Sequence, residues 1–283
     1  MRVAALQYCA AATADSTLRH VIPMIEDASA QGARFVCLPE AADFLAKDRD
    51  ALSQQAEWED SCTTLTKLCA LASTRNIWLL LGSLFVRRRQ DGKLVNRGYL
   101  INPDGQVAAL YDKIHMFDAN VGDGQLYKES ASFEPGDKAV LSAIDGIPIG
   151  MTTCYDVRFP HLFRSLAKAG AGIITVPAAF TFDSGRAHWH VLLRARAIET
   201  GCFIIAPAQC GTHADGRRTY GHALIISPWG TILAEAETND TDHNAGANDG
   251  IILADLELGL IDRSRQAIPA LSNDRDFETP DPS

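Results

Sequence analysis

The chain has 283 residues, 47% apolar and 22% charged, which is the balance of an ordinary globular protein able to bury a sizeable core. A formal net charge of -9 argues against a nucleic-acid partner, because that affinity rests on Lys and Arg displacing counterions from phosphate. No apolar run approaches the roughly 20 residues of a membrane-spanning helix, and Met1 leads straight into Arg2-Val-Ala-Ala-Leu-Gln7 without a secretory signal, so a cytoplasmic location is expected.

In chain order, a short apolar run at Val3 to Leu6 predicts a buried strand, and an amphipathic stretch predicts a helix over Ser16 to Ala30. Strands at Phe35 to Leu38 and Trp78 to Leu81 flank a second helix at Thr63 to Thr74. From Gly98 to Leu110 the pattern is two strands joined by a turn at Asn102-Pro-Asp-Gly105. A strand at Ile147 to Met151, a helix at Pro160 to Ala169, a strand at Ile173 to Val176, a helix at Ala187 to Thr200 and a strand at Phe203 to Ala206 follow. A second hairpin spans Ile225 to Ala234 around Ser227-Pro-Trp-Gly230. The polar stretch Glu237 to Asp249 reads as a surface loop, followed by a last strand at Gly250 to Asp255 and a short helix at Leu256 to Gln266. This alternation predicts an α/β protein with some antiparallel sheet. With no linker, low-complexity tract or repeat, residues 1–272 are expected to form one domain and 273–283 a polar, disordered tail.

Three reactive or charged side chains stand just beyond apolar strands, where open α/β sheets tend to bind ligands. Glu40 follows Phe35-Val-Cys-Leu-Pro39, Lys113 lies in Tyr111-Asp-Lys-Ile-His115, and Cys154 follows Ile147-Pro-Ile-Gly-Met-Thr-Thr153. Together they could cleave an amide. Glu40 would take the thiol proton, Cys154 would attack the carbonyl carbon, and the Lys113 ammonium and the Tyr155 backbone N–H would face the oxyanion. Glu40 would then protonate the departing amine and activate the water that opens the thioester. Singly, each has a blander reading: a helix-start or surface Glu, a solvated Lys, and a packed Cys like the other six of the seven cysteines. Absence of a CxxC pair fits reduced thiols.

The segments Leu38-Pro-Glu-Ala41, Tyr111-Asp-Lys-Ile-His115 and Thr153-Cys-Tyr-Asp-Val-Arg-Phe-Pro160 resemble the three signature segments of the nitrilase (carbon-nitrogen hydrolase) superfamily, in its order and at its usual separations. The likeness continues through Val176-Pro-Ala-Ala-Phe180, Ala187-His-Trp-His190, Leu193-Arg-Ala-Arg-Ala-Ile-Glu199 and Gly221-His-Ala to Pro228-Trp-Gly230. The resemblance implies an α-β-β-α sandwich of two mixed sheets with helices on the outer faces, and catalytic Glu40, Lys113 and Cys154. It adds Glu129, in Tyr127-Lys-Glu-Ser130, as a second glutamate that positions substrate and the lysine. It further implies no metal or organic cofactor, a small-molecule amide substrate, and a homodimer formed through the helices at Pro160 to Ala169 and Ala187 to Thr200.

Within the superfamily, Pro39-Glu-Ala-Ala-Asp-Phe44 with Asp48, the Arg158-Phe-Pro160 continuation and Ala208-Gln-Cys-Gly211 are most similar to deaminated-glutathione amidases. Those enzymes release 2-oxoglutarate and cysteinylglycine; ω-amidases acting on 2-oxoglutaramate, and carbamoylases, are the alternatives. Arg158 is then expected to face a substrate carboxylate, with an ion pair to Asp156 or Glu199 as the structural alternative, and Thr181 is a second candidate for that carboxylate. Related amidases often carry Glu where this sequence has His190. A Cys-His hydrolase using His188 has no supporting motif, and His188 with His190 make a poor metal pair because helical residues two apart face different ways. A scaffold role on the same fold would be signalled by loss of Glu, Lys or Cys, and a redox role by an exposed thiol.

Overall fold

The computed structural model describes residues 1–121, 126–237 and 248–278. Its strands are β1 (Arg2–Tyr8), β2 (Phe35–Cys37), β3 (Trp78–Arg87), β4 (Leu94–Ile101), β5 (Val107–Asp112), β6 (Asp118–Asn120), β7 (Leu126–Lys128), β8 (Val140–Ile144), β9 (Ile147–Met151), β10 (Ile173–Thr175), β11 (Phe203–Ala206), β12 (Ala208–Thr212), β13 (Arg218–Tyr220), β14 (Leu224–Ile226), β15 (Ile232–Glu235) and β16 (Gly250–Asp255). The helices are α1 (Ala14–Ala30), α2 (Arg49–Gln55), α3 (Thr63–Arg75), α4 (Pro160–Lys168), α5 (Phe182–Thr200) and α6 (Gly259–Ala267).

Side-chain alternation along the strands builds four layers. In β1, Val3 and Ala5 face one core while Ala4, Leu6 and Tyr8 face another; β2 divides Phe35 and Cys37 from Val36 in the same way. The first core side packs on Leu80, Ile149, Ile173, Phe203 and Ile205, so it lies between two sheets. The second packs on Leu18, Val21 and Ile25 of α1 and Leu68 and Ala72 of α3. On the far side, Ile174 of β10 and Ile204 of β11 meet Leu162, Phe163 and Leu166 of α4 and Trp189 and Leu193 of α5. The α-β-β-α sandwich expected above is thus observed.

One sheet runs β13-β12-β1-β2-β3-β4-β5, with β16 antiparallel to β1. The other runs β15-β14-β11-β10-β9-β8. Their centres are parallel, β1 with β2 and β3 in one and β9 with β10 and β11 in the other, while β4, β5, β8, β14 and β15 add antiparallel edges. Both expected hairpins form, β4–β5 and β14–β15. No helix among the described residues is long and apolar enough to cross a membrane.

Several expectations are corrected. Helix α5 begins at Phe182 rather than Ala187 and takes in Gly185, where a Cβ would lie 2.4 Å from Tyr220. Strand β3 runs on to Arg87 through Gly82, where a Cβ would meet the Leu38 carbonyl oxygen at 2.3 Å. Helix α2 has only Leu52 buried, so its period is not visible in the sequence; the Asp48 carboxylate caps it by accepting from Ala51 N at 2.8 Å. The strands β6, β7, β8, β12 and β13 were also not expected. At the start of the expected C-terminal tail the Asp274 carboxylate meets Arg164 at 2.9 Å and also Lys168, both on α4. Most of the expected loop from Glu237 to Asp249, and residues 279–283, lie outside the described residues.

Candidate active site

Strands β2, β5 and β9 end on one side of the sandwich, and the residues just past them converge. After β2, Pro39 and Glu40 lead to Ala41, which sits in the left-handed region at φ 54°. A non-glycine residue there costs roughly 1–2 kcal/mol. Its neighbours hold it: Ala41 N donates to Ser83 Oγ at 3.0 Å, Ala42 N to the Ser83 carbonyl at 2.8 Å, and Gln209 Nε2 to the carbonyls of Glu40 and Ala41 at 3.0 and 3.1 Å.

Cys154 is held in the same way. Its φ is 48°, at the start of a short 3-10 helix over Cys154–Arg158, and its N–H donates to the Pro177 carbonyl at 2.8 Å. The fully buried Asp156 fixes that turn by accepting from Thr153 N at 2.8 Å, Tyr111 Oη at 2.7 Å and His115 N at 3.1 Å, with His115 Nδ1 2.6 Å away. The turn opens at Cys154, so the Tyr155 N–H belongs to the first turn, whose donors have no partner within the helix.

Lys113 is 2% exposed and lies between two carboxylates. Its Nζ donates to Glu40 Oε1 at 2.8 Å and to Glu129 Oε1 and Oε2 at 3.0 and 2.8 Å. Asn96 Nδ2 bridges the same pair, 2.9 Å from Glu40 and 3.1 Å from Glu129. Backbone donors complete both carboxylates, Ala179 N to Glu40 Oε2 at 2.9 Å and Phe117 N to Glu129 Oε2 at 2.6 Å. The Cys154 thiol is close enough to Glu40 for the two groups to act on each other electrostatically.

Burial alone would raise the Glu40 carboxyl, but the Lys113 charge and the bonds from Lys113, Cys154 and Ala179 N outweigh it, leaving Glu40 below the usual carboxylate range. Burial and the neighbouring Glu40 charge push the Cys154 thiol well up, against the opposing pull of Lys113. Burial would lower Lys113, yet Glu129, Glu40 and Cys154 hold it well above its ordinary value. At neutral pH the group is therefore an ionised carboxylate against a protonated thiol, beside an ammonium that stays charged. Such an arrangement can move one proton from sulfur to oxygen and stabilise negative charge developing next to it.

All four residues line one cavity of about 310 Å³, together with Tyr155 and Thr181. Thr181 is buried, its Oγ1 2.6 Å from Ser184 Oγ. Arg158 corrects one expectation, the ion pair to Asp156 or Glu199. It does not line the cavity, and among the described residues neither Asp156 nor Glu199 pairs with it, since Asp156 is engaged as above and Glu199 meets Arg196 at 2.7 Å. Its guanidinium instead lies 5.0 Å from the centre of the Phe180 ring and 5.8 Å from that of Tyr155, with Nη1 3.3 Å from His188 Nδ1. His190 is likewise away from the cavity, its Nε2 2.8 Å from Glu235 Oε1, which His222 Nδ1 also approaches at 2.7 Å. Sequence reasoning missed Asn96, Asp156, Gln209 and Arg217. The available signal was weak: an Asn within the apolar strand sequence Leu94-Val-Asn-Arg-Gly-Tyr-Leu-Ile101 calls for a buried partner.

The sequence model of the carbon-nitrogen hydrolase family matches residues 2–266. A deaminated glutathione amidase of Synechocystis sp. is 40% identical over 275 residues, covering 95% of this chain and 96% of its own. The human deaminated glutathione amidase is 38% identical, covering 89% and 75%. Among solved structures, the Caenorhabditis elegans NitFhit protein superposes with a TM-score of 0.86 at 32% identity, over 97% of this chain, which spans 65% of that longer one. The amidase NitN of Nesterenkonia sp. AN1 gives 0.79 at 26% identity, over 97% and 96%. A mutant of the Nesterenkonia amidase, with a TM-score of 0.76 at 25% identity over 95% of this chain and 98% of its own, carries acrylamide added at its active-site cysteine. A family match over nearly the full length, joined to relatives of similar size above one third identity, shows that the chain belongs to the carbon-nitrogen hydrolase family.

Proposed function

We propose that this protein is an amidase that opens its substrate through a thioester on Cys154, with Glu40 as proton carrier, Lys113 as oxyanion donor and Glu129 as the residue that positions Lys113. The observation that carries this reading is the placement of Lys113 Nζ 2.8 Å from both Glu40 and Glu129, on the one cavity that Cys154 also lines. As sulfur bonds to the amide carbon, its proton passes to Glu40 and the carbonyl π electrons move onto oxygen. That oxygen meets the Lys113 ammonium and the Tyr155 N–H, donors of a kind worth roughly 3–4 kcal/mol each. Collapse re-forms the carbonyl and expels the amine, which takes the proton from Glu40. Water then enters, gives a proton to Glu40 and attacks the thioester, and the departing sulfur recovers that proton as the acid leaves.

For the substrate we propose the amide of deaminated glutathione, giving 2-oxoglutarate and cysteinylglycine. Support comes from the Synechocystis and human relatives, which carry that name. The one departure noted in the sequence, His190, is held by Glu235 outside the cavity and leaves this reading intact. In the test, enzyme is incubated with deaminated glutathione, 2-oxoglutaramate and a neutral aliphatic amide, with mass spectrometry of the quenched protein. The expected result is preferred turnover of the first and an acyl adduct on Cys154 that is absent in Cys154→Ala. Preference for 2-oxoglutaramate would move the protein to the ω-amidases, and turnover surviving Cys154→Ala would overturn the mechanism. We also propose a cytoplasmic homodimer joined through α4 and α5; exposed Val191 and Ile198 on α5 support that face, and light scattering on the purified protein tests it.

A further inference from the structure

Five cationic side chains line the cavity: Lys47, Arg49, Lys113, Lys128 and Arg217. Lys47, Arg49 and Lys128 are exposed, so solvent screens any anion contact they make. Lys113, held between two glutamates, is assigned above to the oxyanion. Arg217 differs from all of these. Its side chain is only 27% exposed, and it is held from one side by Asp215, whose Oδ2 accepts from Nε at 3.2 Å and from Nη2 at 2.9 Å. Asp215 Oδ1 accepts the Arg217 backbone N–H at 2.9 Å, which closes the turn and fixes the chain direction. Nη1 has no protein acceptor among the described residues.

The guanidinium lies 5.8 Å from the centre of the Tyr127 ring, on the hairpin that leads into Glu129. Two residues further on, Thr219 forms a β-bridge with Thr181, another cavity residue. Arg217 is also close enough to Glu40 for the two charges to interact. A guanidinium that lines a partly apolar cavity, positioned by one carboxylate, always charged and with Nη1 unbonded among the described residues, is suited to recognise a second carboxylate.

We propose that Arg217, positioned by Asp215, is the residue that recognises a substrate carboxylate in this cavity, the role the sequence alone suggested for Arg158. This rests on the amidase reading above. Deaminated glutathione has two such carboxylates, one at the 2-oxo acyl end and one on the glycine of the leaving group. If the pair only closed the β12–β13 turn, its loss would affect every substrate alike.

The experiment compares wild type, Arg217→Ala and Arg217→Lys on four substrates: deaminated glutathione, its glycine carboxamide, 2-oxoglutaramate and a neutral aliphatic amide. Arg217→Ala is expected to raise KM about tenfold to a hundredfold on deaminated glutathione, with a loss on the neutral amide at least tenfold smaller. Arg217→Lys should recover only part, because it keeps the charge without the planar fork. A loss that persists on the carboxamide and on 2-oxoglutaramate assigns the acyl carboxylate, and one that disappears on both assigns the glycine carboxylate. Equal losses on all four, or none, would overturn the proposal. Should wild type turn over none of the acidic substrates, the substrate reading fails separately. Titration of 2-oxoglutarate and of cysteinylglycine into Cys154→Ala, with and without Arg217→Ala, then decides the anion site. Tenfold weaker binding of either ligand sustains it, and unchanged binding of both defeats it.

Discussion

Two buried cations sit side by side on the same strand pair, each between two carboxylates, and their environments separate a reactive centre from a structural clamp. Lys113, just past β5, lies between Glu40 and Glu129; Arg97, on β4, lies between Glu59 and Asp112. Asn96 and Arg97 are consecutive, so strand alternation sends the first toward the Glu40 side and the second to the opposite face. Arg97 meets Asp112 through two parallel bonds, Nε at 2.5 Å and Nη2 at 2.9 Å, and Glu59 engages its remaining nitrogen. That fork is filled and does not line the cavity. Lys113 carries a compact ammonium beside a cavity and a thiol, so its charge remains available to an incoming carbonyl oxygen.

The largest effect that would test this contrast is on turnover. Glu40→Gln and Lys113→Ala should each reduce kcat by about 10²–10⁴, as loss of a proton carrier or an oxyanion donor does. Steady-state rates with unchanged circular dichroism check this, and near-normal kcat in either would remove its assigned role. Arg97→Met should act on stability instead. Leaving Asp112 and Glu59 without their cation should cost about 3–5 kcal/mol by urea unfolding, while the folded fraction keeps kcat within a few-fold. A thousandfold fall in kcat with intact stability would erase the distinction drawn here. Asn96→Ala lies between the two. It removes the bond that bridges both glutamates, and kcat should fall about tenfold to a hundredfold with KM little changed.

The pH dependence sharpens the same point with two buried carboxyls three residues apart. Glu40 has a cation and sits below its ordinary value near 4.5; Asp43 has none, and burial raises it to about 7 despite the bond it accepts from Phe44 N. For Glu40, the depressed folded value means its stabilisation is present above about 4.5 and is lost as pH falls through the folded value, so the acid limb of kcat/KM should lie below 4.5. For Asp43, the raised folded value means the stability present below its unfolded value near 3.8 is lost as pH rises toward about 7. Asp43→Asn should therefore flatten the thermal-stability profile between about 4 and 7 and raise Tm at pH 8. An unchanged profile would show that Asp43 is not buried in its charged form. The smallest expected effect is that of His190→Glu, which restores the residue common in related amidases at a position outside the cavity. Its kcat/KM should change less than about twofold, and a larger shift would mean that the α5 surface communicates with the site.

The sequence by itself determined an α/β chain with some antiparallel sheet and three chemical groups at strand ends, while the four-layer sandwich was implied by resemblance. Apolar runs ending at Leu38, Tyr111 and Met151, with Glu40, Lys113 and Cys154 just beyond, were legible because strand burial is periodic and local. The same locality hid what the sequence could not express. The helix around Gly185 is an example: Tyr220, far along the chain, occupies the space a side chain there would need. Arg158 was expected to face a substrate carboxylate through the resemblance alone, and only the fold shows that the 3-10 turn lays its guanidinium against Phe180 and His188. Arg217, 63 residues from Cys154 in the numbering, reaches the cavity because β13 bridges to Thr181. Asn96 and Asp156 gained their partners only when β4, β5 and the Cys154 turn met. Hydrophobic pattern fixes which face of an element is buried; which polar atoms then meet across 30 to 170 residues depends on register and turn geometry, and these exist only in the folded chain.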